Sequence, residues 1–181
     1  SHISCEPQDV PDKERPVTMV YNTMKYSGKP LMGSVYGYEN AMHCIELAAI
    51  PFGGLDAIKE KPVISSIPCT LTPLSYDERQ LGAIRAYAET GQPQLVNSLS
   101  IAGMTTPATL AGLVSVQNAE VLAGIVYAQC VNPGCPIVYS ASGSNAEMST
   151  GLLTIGSPED AVVSLINGQL AKYYQIPCRI S

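Results

Sequence analysis

Short apolar runs alternate along this chain with longer segments in which apolar residues recur every three to four positions. Because strands are short and helices repeat about every 3.6 residues, the short runs predict strands and the longer segments predict helices. The predicted strands are residues 31–36, 63–67, 95–101 and 137–140, with the first residues of a fifth at 178–180. Predicted helices follow them at 39–50, 76–89, 107–131 and 158–174, and another leads up to Gly28. Strands that alternate with helices through short connections are typical of parallel β/α construction.

Glycine and proline mark the ends of the predicted helices. A Gly-x-Pro sequence occurs at Gly28, Gly91 and Gly134, where glycine favours a left-handed helix cap and proline prevents the helix from continuing. The opposite signals predict helix starts: a capping box, and two N-cap residues that precede a first-turn proline. These starts are Ser75-x-x-Glu78, Thr106-Pro107 and Ser157-Pro158-Glu159.

The number of β/α units predicts the fold. Four complete units and the start of a fifth strand amount to about half of an eightfold (β/α)8 TIM-type barrel, which typically needs ~250 residues. We therefore predict an α/β fold of the TIM-barrel type, with residues 1–28 as an N-terminal segment and helix and residues 29–181 as a partial barrel. A doubly wound open sheet is the competing architecture, but no Gly-x-Gly-x-x-Gly follows any predicted strand.

Composition narrows the range of partners. Only 14% of the 181 residues are charged, against roughly 25% in an ordinary domain, so we expect part of the surface to be covered, as in a homo-oligomer or a larger protein. The net charge is −5 and the basic residues form no cluster, which excludes nucleic acid as an expected partner.

Cysteine usage and hydropathy indicate a cytoplasmic protein. The six cysteines form no CxxC pair, which favours reduced thiols, and no signal peptide opens the chain. Residues 108–131 are the best candidate for a membrane span, yet Gln117, Asn118 and Glu120 interrupt its centre. Because an ionised carboxylate there costs a few kcal/mol, we expect a core helix and no membrane association.

Candidate binding residues follow from position and residue type. Ligands of β/α proteins bind where the strands end, and the segments after these strands carry tyrosine and hydroxyl side chains. Tyrosine faces attract a quaternary ammonium group, and a helix start at Thr105 and Thr106 would offer free N–H groups to a carboxylate, although ordinary capping explains the same residues. The predicted substrate-binding residues are Tyr36, Glu39, Met104, Thr105, Thr106, Tyr139, Ser140 and Ser142.

Several common catalytic arrangements have no candidates. No predicted strand carries a lysine, so a Schiff-base mechanism is not supported. His43, with Glu46 three residues later on a predicted helix, is expected to be a packing or surface residue and not a metal ligand. We assign no catalytic residue and no metal site.

Five motifs in the second half of the chain resemble the trimethylamine methyltransferase family. They are residues 102–112 (AGMTTPATLAG), 117–124 (QNAEVLAG), 133–136 (PGCP), 156–159 (GSPE) and 169–177 (QLAKYYQIP). The resemblance is strongest across residues 93–178 and extends back to Lys29. It implies a cytoplasmic β/α barrel longer than this chain.

The resemblance also implies a reaction. The enzyme would move a methyl group from a tertiary or quaternary methylamine, trimethylamine or a betaine, to the Co(I) corrinoid (cobalamin) of a separate partner protein, in methanogenesis or one-carbon metabolism. No cofactor would be bound directly, and the corrinoid carrier's Asp-x-His-x-x-Gly motif does not occur here. Because Co(I) is the nucleophile, the barrel would need only to position the N-methyl group and exclude water.

Two features of the family leave alternatives open. Trimethylamine-specific members carry pyrrolysine, which is absent from these 181 residues and would be expected beyond Ser181, whereas relatives without it use quaternary amines such as glycine betaine. A second hypothesis is a truncated, non-catalytic product, ended for instance at an amber codon, that retains only a binding or docking surface. A third is an unrelated β/α lyase. For Glu120 we expect a structural hydrogen bond to an adjacent loop and not a catalytic role.

Overall fold

The computed structural model describes residues 6–147 and 149–180 and divides the chain into two compact units. Unit 1 comprises Ser1–Pro68, Glu78–Gln94 and Tyr127–Pro136, and unit 2 comprises Cys69–Asp77, Leu95–Val126 and Ile137–Ser181. The two units are interleaved along the sequence. The predicted boundary after residue 28 stays a prediction.

Helices and strands alternate in the order that periodicity predicted. The helices are α1 (Arg15–Tyr26), α2 (Tyr38–Ala49), α3 (Leu55–Ile58), α4 (Glu78–Glu89), α5 (Leu110–Val131) and α6 (Pro158–Tyr173), with a 3₁₀ turn at Ile50–Phe52. The strands are β1 (Leu31–Met32), β2 (Ile64–Ser65), β3 (Gln94–Ala102), β4 (Ile137–Asn145) and β5 (Cys178–Ile180). Helix α3 lies between the predicted helix 39–50 and the predicted strand 63–67, where no helix was predicted.

Parallel pairing confirms the predicted α/β class. In one sheet β1 pairs with β2 in parallel, with Leu31 opposite Ile64. The other sheet has the order β3-β4-β5, and β4 pairs with β5 in parallel. Single parallel bridges also join Ser66 to Gln94 within unit 1 and Cys69 to Asn97 within unit 2.

Each unit has an apolar core on the helix-facing side of its strands. In unit 1, small residues of α2 such as Ala41 and Ala48 let the helix approach α4 closely, and Tyr87 of α4 is fully buried beside them. In unit 2, Leu113 and Val114 of α5 pack with Val163 of α6. Each fully buried aliphatic side chain contributes roughly 1.5 to 3 kcal/mol through its removal from water. These apolar residues therefore determine which face of each helix packs against the strands.

The local signals at helix ends were only partly right. Gly91 and Gly134 adopt the expected positive φ values of +68° and +87°, and the Ser157 hydroxyl accepts a hydrogen bond from the Asp160 N–H at the start of α6, as predicted. The predicted helix before Gly28 is present as α1, but the predicted left-handed cap at Gly28 was wrong. Helix α1 ends at Tyr26, and the extended residue Ser27 caps it.

Two predicted helix starts were also wrong. Helix α5 begins at Leu110, and the Thr109 hydroxyl, not that of Thr106, caps it by accepting a hydrogen bond from the Gly112 N–H. Helix α4 begins at Glu78, and the Ser75 hydroxyl donates to the Leu71 carbonyl oxygen instead of capping it. In both places the chain makes a tight turn between the strand end and the helix, and the sequence motif serves that turn.

Candidate functional site

A cleft of about 550 Å³ opens in unit 1 beyond the end of β1. Its lining includes Met32 from the strand, Tyr36 from the segment that follows, Ile67 beyond β2, and Arg79 from α4. Residues of α1 and of the segment before it close the other side. The cleft therefore lies where the predicted β/α fold would place a ligand.

Both signs of charge line this cleft. The Arg15 guanidinium lies 2.7 Å from the Asp12 carboxylate and donates to the Val10 carbonyl oxygen, so its charge is already balanced, although its Nε is buried without a hydrogen-bond partner. Arg79 is exposed, and among the described residues no acidic side chain pairs with it. The cleft therefore offers one guanidinium to an anionic group.

Of the two predicted site residues in unit 1, one lines the cleft and the other does not. Tyr36 lines the cleft and is 51% exposed. The Asn40 amide holds the Tyr36 backbone by donating to its carbonyl oxygen at 2.9 Å. Glu39 is exposed in the first turn of α2 and is not part of the cleft lining.

In unit 2 the segment after β3 forms a closed turn. The N–H groups of Met104, Thr105 and Thr106 all donate to the Ile101 carbonyl oxygen, at 3.0 to 3.3 Å. The Thr105 hydroxyl accepts from the Ile101 N–H, and the Thr106 hydroxyl donates to the Ile101 carbonyl oxygen. The expectation of a helix start with free N–H groups at Thr105 and Thr106 was wrong, because this turn uses those groups. Met104 is 59% exposed in this turn.

The predicted site residues of β4 divide between the two faces of the sheet. Tyr139 is fully buried on the side of α5 and α6, and its hydroxyl lies 3.2 Å from Asn118 Oδ1 and 3.4 Å from Asn167 Oδ1. This burial raises the pKa of the Tyr139 phenol above its ordinary value of 10.0. Ser140 points to the opposite face, where its hydroxyl donates to Asn97 Oδ1 at 2.8 Å. Ser142 lies on the same face as Ser140 and is half-buried.

Tyr139 belongs to a chain of buried and half-buried amide groups that the sequence motifs did not predict. Asn118 donates to the Tyr174 hydroxyl at 2.9 Å, and Asn167 donates to Gln117 Oε1 at 2.9 Å. Gln117 in turn donates to the Ser142 carbonyl oxygen at 2.8 Å. The adjacent amides Gln117-Asn118 within an apolar helix were the available signal. Through Gln117 of α5, the network connects α6 to the β4 backbone at Ser142.

Glu120 organises the loop that follows β2. Its Oε2 accepts hydrogen bonds from the hydroxyls of Thr70 at 2.7 Å, Thr72 at 2.9 Å and Ser98 at 2.6 Å. Its Oε1 accepts from the Leu74 N–H at 2.7 Å. The carboxylate is 2% exposed and has four donors, which is the compensation that a buried charge needs. The expected structural bond to an adjacent loop is confirmed.

The described residues hold no group of three or more His, Cys, Asp and Glu side chains that could bind a metal ion. His43 is exposed on α2. Of the helices in the described ranges, α5 alone is long and apolar enough to cross a membrane by length and composition. It also carries the buried side chains of Gln117 and Glu120, whose partners lie within unit 2.

Comparison with known proteins connects this geometry with a family. The family model described as trimethylamine methyltransferase matches residues 1–181. The chain belongs to the trimethylamine methyltransferase family. Two of the motifs that carried the resemblance build features described above. Residues 102–112 contain the turn after β3, and residues 117–124 of α5 carry Gln117, Asn118 and Glu120 of the polar networks.

Curated relatives within this family act on several methylated amines. The chain is 53% identical over 175 residues to the glycine betaine methyltransferase of Desulfitobacterium hafniense (strain Y51), covering 97% of the chain and 36% of that relative. It is 32% identical to the proline betaine:corrinoid methyltransferase of Eubacterium limosum, covering 94% of the chain and 37% of the relative. It is 30% identical to a trimethylamine methyltransferase of D. hafniense (strain DSM 10664 / DCB-2), covering 94% and 34%. The chain thus spans about a third of the length of these relatives.

Proposed function

We propose that the protein transfers a methyl group from a quaternary methylamine of the betaine class to a corrinoid carried by a partner protein. The 53% identity to a glycine betaine methyltransferase, over 97% of the chain, is the observation that supports this most. Trimethylamine is the second candidate substrate, supported by the family model and by the weaker likeness to a trimethylamine methyltransferase. The absence of pyrrolysine from these 181 residues does not decide between them.

The proposed reaction makes modest demands on the residues of this chain. The partner's corrinoid, when bound, supplies the nucleophilic Co(I). A quaternary nitrogen leaves as a neutral amine, so no general acid is required of the protein. The chain's contribution is to orient the amine and exclude water, which is catalysis by positioning.

The predicted site residues fall into two proposed roles. We propose that Tyr36, Glu39, Met104 and Ser142, which are exposed or half-buried, contact the amine or the partner. A tyrosine face is worth roughly 0.5 to 2 kcal/mol to a quaternary ammonium group. The other predicted site residues would have a structural role, because their hydroxyls form hydrogen bonds within unit 2. They are Thr105, Thr106, Tyr139 and Ser140.

The fold of the complete protein is part of the proposal. The alternation of five strands with helices, and the parallel β1–β2 and β4–β5 pairs, are consistent with consecutive units of a (β/α)8 barrel, to which the rest of the relatives' length would add the other units. We further propose a cytoplasmic homo-oligomer that associates with its corrinoid partner and neither with nucleic acid nor with a membrane.

A direct assay tests the function. The protein would be expressed from its complete open reading frame and mixed with a corrinoid protein reduced to Co(I) and a panel of methylated amines. We expect methyl-Co(III) to form with glycine betaine or a related betaine. If no amine of the panel methylates the corrinoid, the proposal is wrong, and the non-catalytic alternative gains support.

A further inference from the structure

Four polar or soft side chains form a row across one face of the sheet in unit 2. Asn97 donates to Cys69 Sγ at 3.5 Å and accepts a hydrogen bond from Ser140 at 2.8 Å. Ser140 is the in-register partner of Arg179 in the parallel β4–β5 pair. The polar row Cys69–Asn97–Ser140–Arg179 therefore crosses four neighbouring backbone segments.

The pleat of the strands places Arg179 on this face. Successive side chains of a strand alternate between faces, and in-register residues of parallel neighbours share a face. Ile180 faces α6, because its Cδ1 would lie 2.9 Å from a Cβ added at Gly168. Arg179 therefore projects on the opposite face, beside Ser140.

Arg179 has no acidic partner among residues 6–147 and 149–180. The buried acid of unit 2, Glu120, lies on the helix-facing side of the sheet, where four donors bind its carboxylate. Glu147 is occupied by Ser149, and Asp160 accepts from the Gly156 N–H. Within the described residues, Arg179 is thus an exposed guanidinium at the β5 end of this face.

The chemistry of this row differs from ordinary barrel packing. The inward face of a parallel barrel is normally filled by bulky apolar side chains, whereas this row holds an amide, a hydroxyl and a guanidinium. A guanidinium is suited to two parallel hydrogen bonds with a carboxylate, and these charge-assisted bonds are the strong ones. On the same face, two residues beyond Asn97, Leu99 is 51% exposed and offers apolar contact to N-methyl groups.

We propose that Arg179 binds the carboxylate of an N-methylated amino acid, so that the polar row selects betaines over methylated amines without a carboxylate. This inference rests on the proposed function, because it specifies the substrate class of the same reaction. Asn97 and Ser140 act as positioning residues, because their hydrogen bond joins the strands next to Arg179 and keeps the surface beside the guanidinium rigid. The guanidinium makes the ionic contact itself.

Binding measured without the corrinoid partner tests this proposal separately from catalysis. Isothermal titration of the protein, expressed from its complete open reading frame, would use glycine betaine and, as a probe lacking the carboxylate, tetramethylammonium. Loss of hydrogen bonds to a charged group costs roughly 1.5 to 3 kcal/mol, so we expect Arg179→Gln to weaken glycine betaine binding at least tenfold. Binding of tetramethylammonium should change less than twofold.

Arg85→Gln is the matched control, because Arg85 is an exposed arginine of unit 1 paired with Glu89. It should leave the affinity for both ligands unchanged. Equal affinity of wild type and Arg179→Gln for glycine betaine would overturn the proposal, as would an equal loss for both ligands or no binding of glycine betaine to the wild type. Carboxylate-dependent binding without methyl transfer would instead overturn the proposed function and leave this inference standing.

Discussion

The hydroxyl of Ser98 in β3 lies 2.6 Å from the carboxylate of Glu120 in α5, with both side chains buried. The same carboxylate oxygen also accepts from two threonines of the loop after β2, so one glutamate joins a strand, a helix and a loop.

Glu120→Ala should therefore destabilise the protein strongly. The substitution removes the carboxylate that three hydroxyls and one N–H donate to, and the loss of one or two such bonds already costs roughly 3 kcal/mol. We expect a decrease of about 3 kcal/mol or more in the free energy of unfolding, measured by urea denaturation. Glu46→Ala, an exposed mid-helix glutamate in α2, is the control and should stay within about 0.5 kcal/mol of wild type. Equal effects of the two variants would show that the loop does not depend on Glu120.

Gly143 sits where β4 passes close to β3 and α5. A Cβ at this position would collide with the Ser100 carbonyl oxygen and approach Gln117 Nε2 to 2.6 Å. Because a backbone oxygen cannot move aside cheaply, we expect Gly143→Ala to lower the free energy of unfolding by roughly 1 to 3 kcal/mol in thermal or urea denaturation. Gly28→Ala, where no atom lies within 4 Å of the added Cβ, should be nearly neutral. A neutral Gly143→Ala would contradict the close approach.

Tyr139→Phe separates a structural role from a binding role. The variant removes a buried hydroxyl that points at Asn118 and Asn167, so we expect a loss of about 1 kcal/mol in the free energy of unfolding. Because Tyr139 is fully buried, the KM for the methylated amine should not change. Tyr173→Phe, at 80% exposure, is the control and should change neither quantity. A raised KM with unchanged stability would place Tyr139 in contact with substrate.

Glu89 gives unit 1 a pH-dependent contribution to stability. It accepts hydrogen bonds from Arg85 and from the Tyr38 hydroxyl, both at 2.7 Å, and these lower the pKa of its carboxyl below the ordinary value of 4.5. A pKa depressed by folding stabilises the protein above the unfolded value, and that contribution is lost as the pH falls through the folded pKa.

We therefore expect Glu89→Gln to lower stability by about 0.5 kcal/mol at neutral pH, since the pair is partly exposed. Below about pH 4 the difference from wild type should shrink towards zero. Denaturation curves from pH 3 to pH 7 measure this, with the exposed Glu60→Gln as control. A difference that stays constant across this range would refute the ionic interpretation.

Local sequence signals predicted the elements better than their ends. Periodicity located α2, α4, α5 and α6 within about three residues of their observed starts, because the apolar face of a helix recurs along the sequence itself. The start of α5 was displaced from Thr106 to Thr109, because the first threonine bonds back to Ile101 instead of forward into a helix. A threonine that follows a strand can either bond back to the strand end or cap the next helix, and the local sequence does not distinguish the two.

The candidate site was predicted only at the level of strand ends. Tyr36 and Met104 lie beyond β1 and β3 and are exposed, and their role in binding stays a prediction. Tyr139 and Ser140 are neighbours in sequence, yet they face opposite sides of the sheet, and the sequence analysis treated them alike. Arg179 was not recognised as a candidate because its position beside Ser140 depends on the β4–β5 register.

The order of strands and helices, the parallel α/β class and the family were determined by the sequence alone, because periodicity, glycine–proline signals and motifs are all local along the chain. The partners of the buried polar groups were decided only by the tertiary structure. Glu120 binds Ser98 and Thr70, which are 22 and 50 residues away, and Asn167 binds Gln117 at a separation of 50 residues. Such contacts form only when helices pack against the sheet, because a buried polar group must find a donor or acceptor wherever the packing brings one within reach.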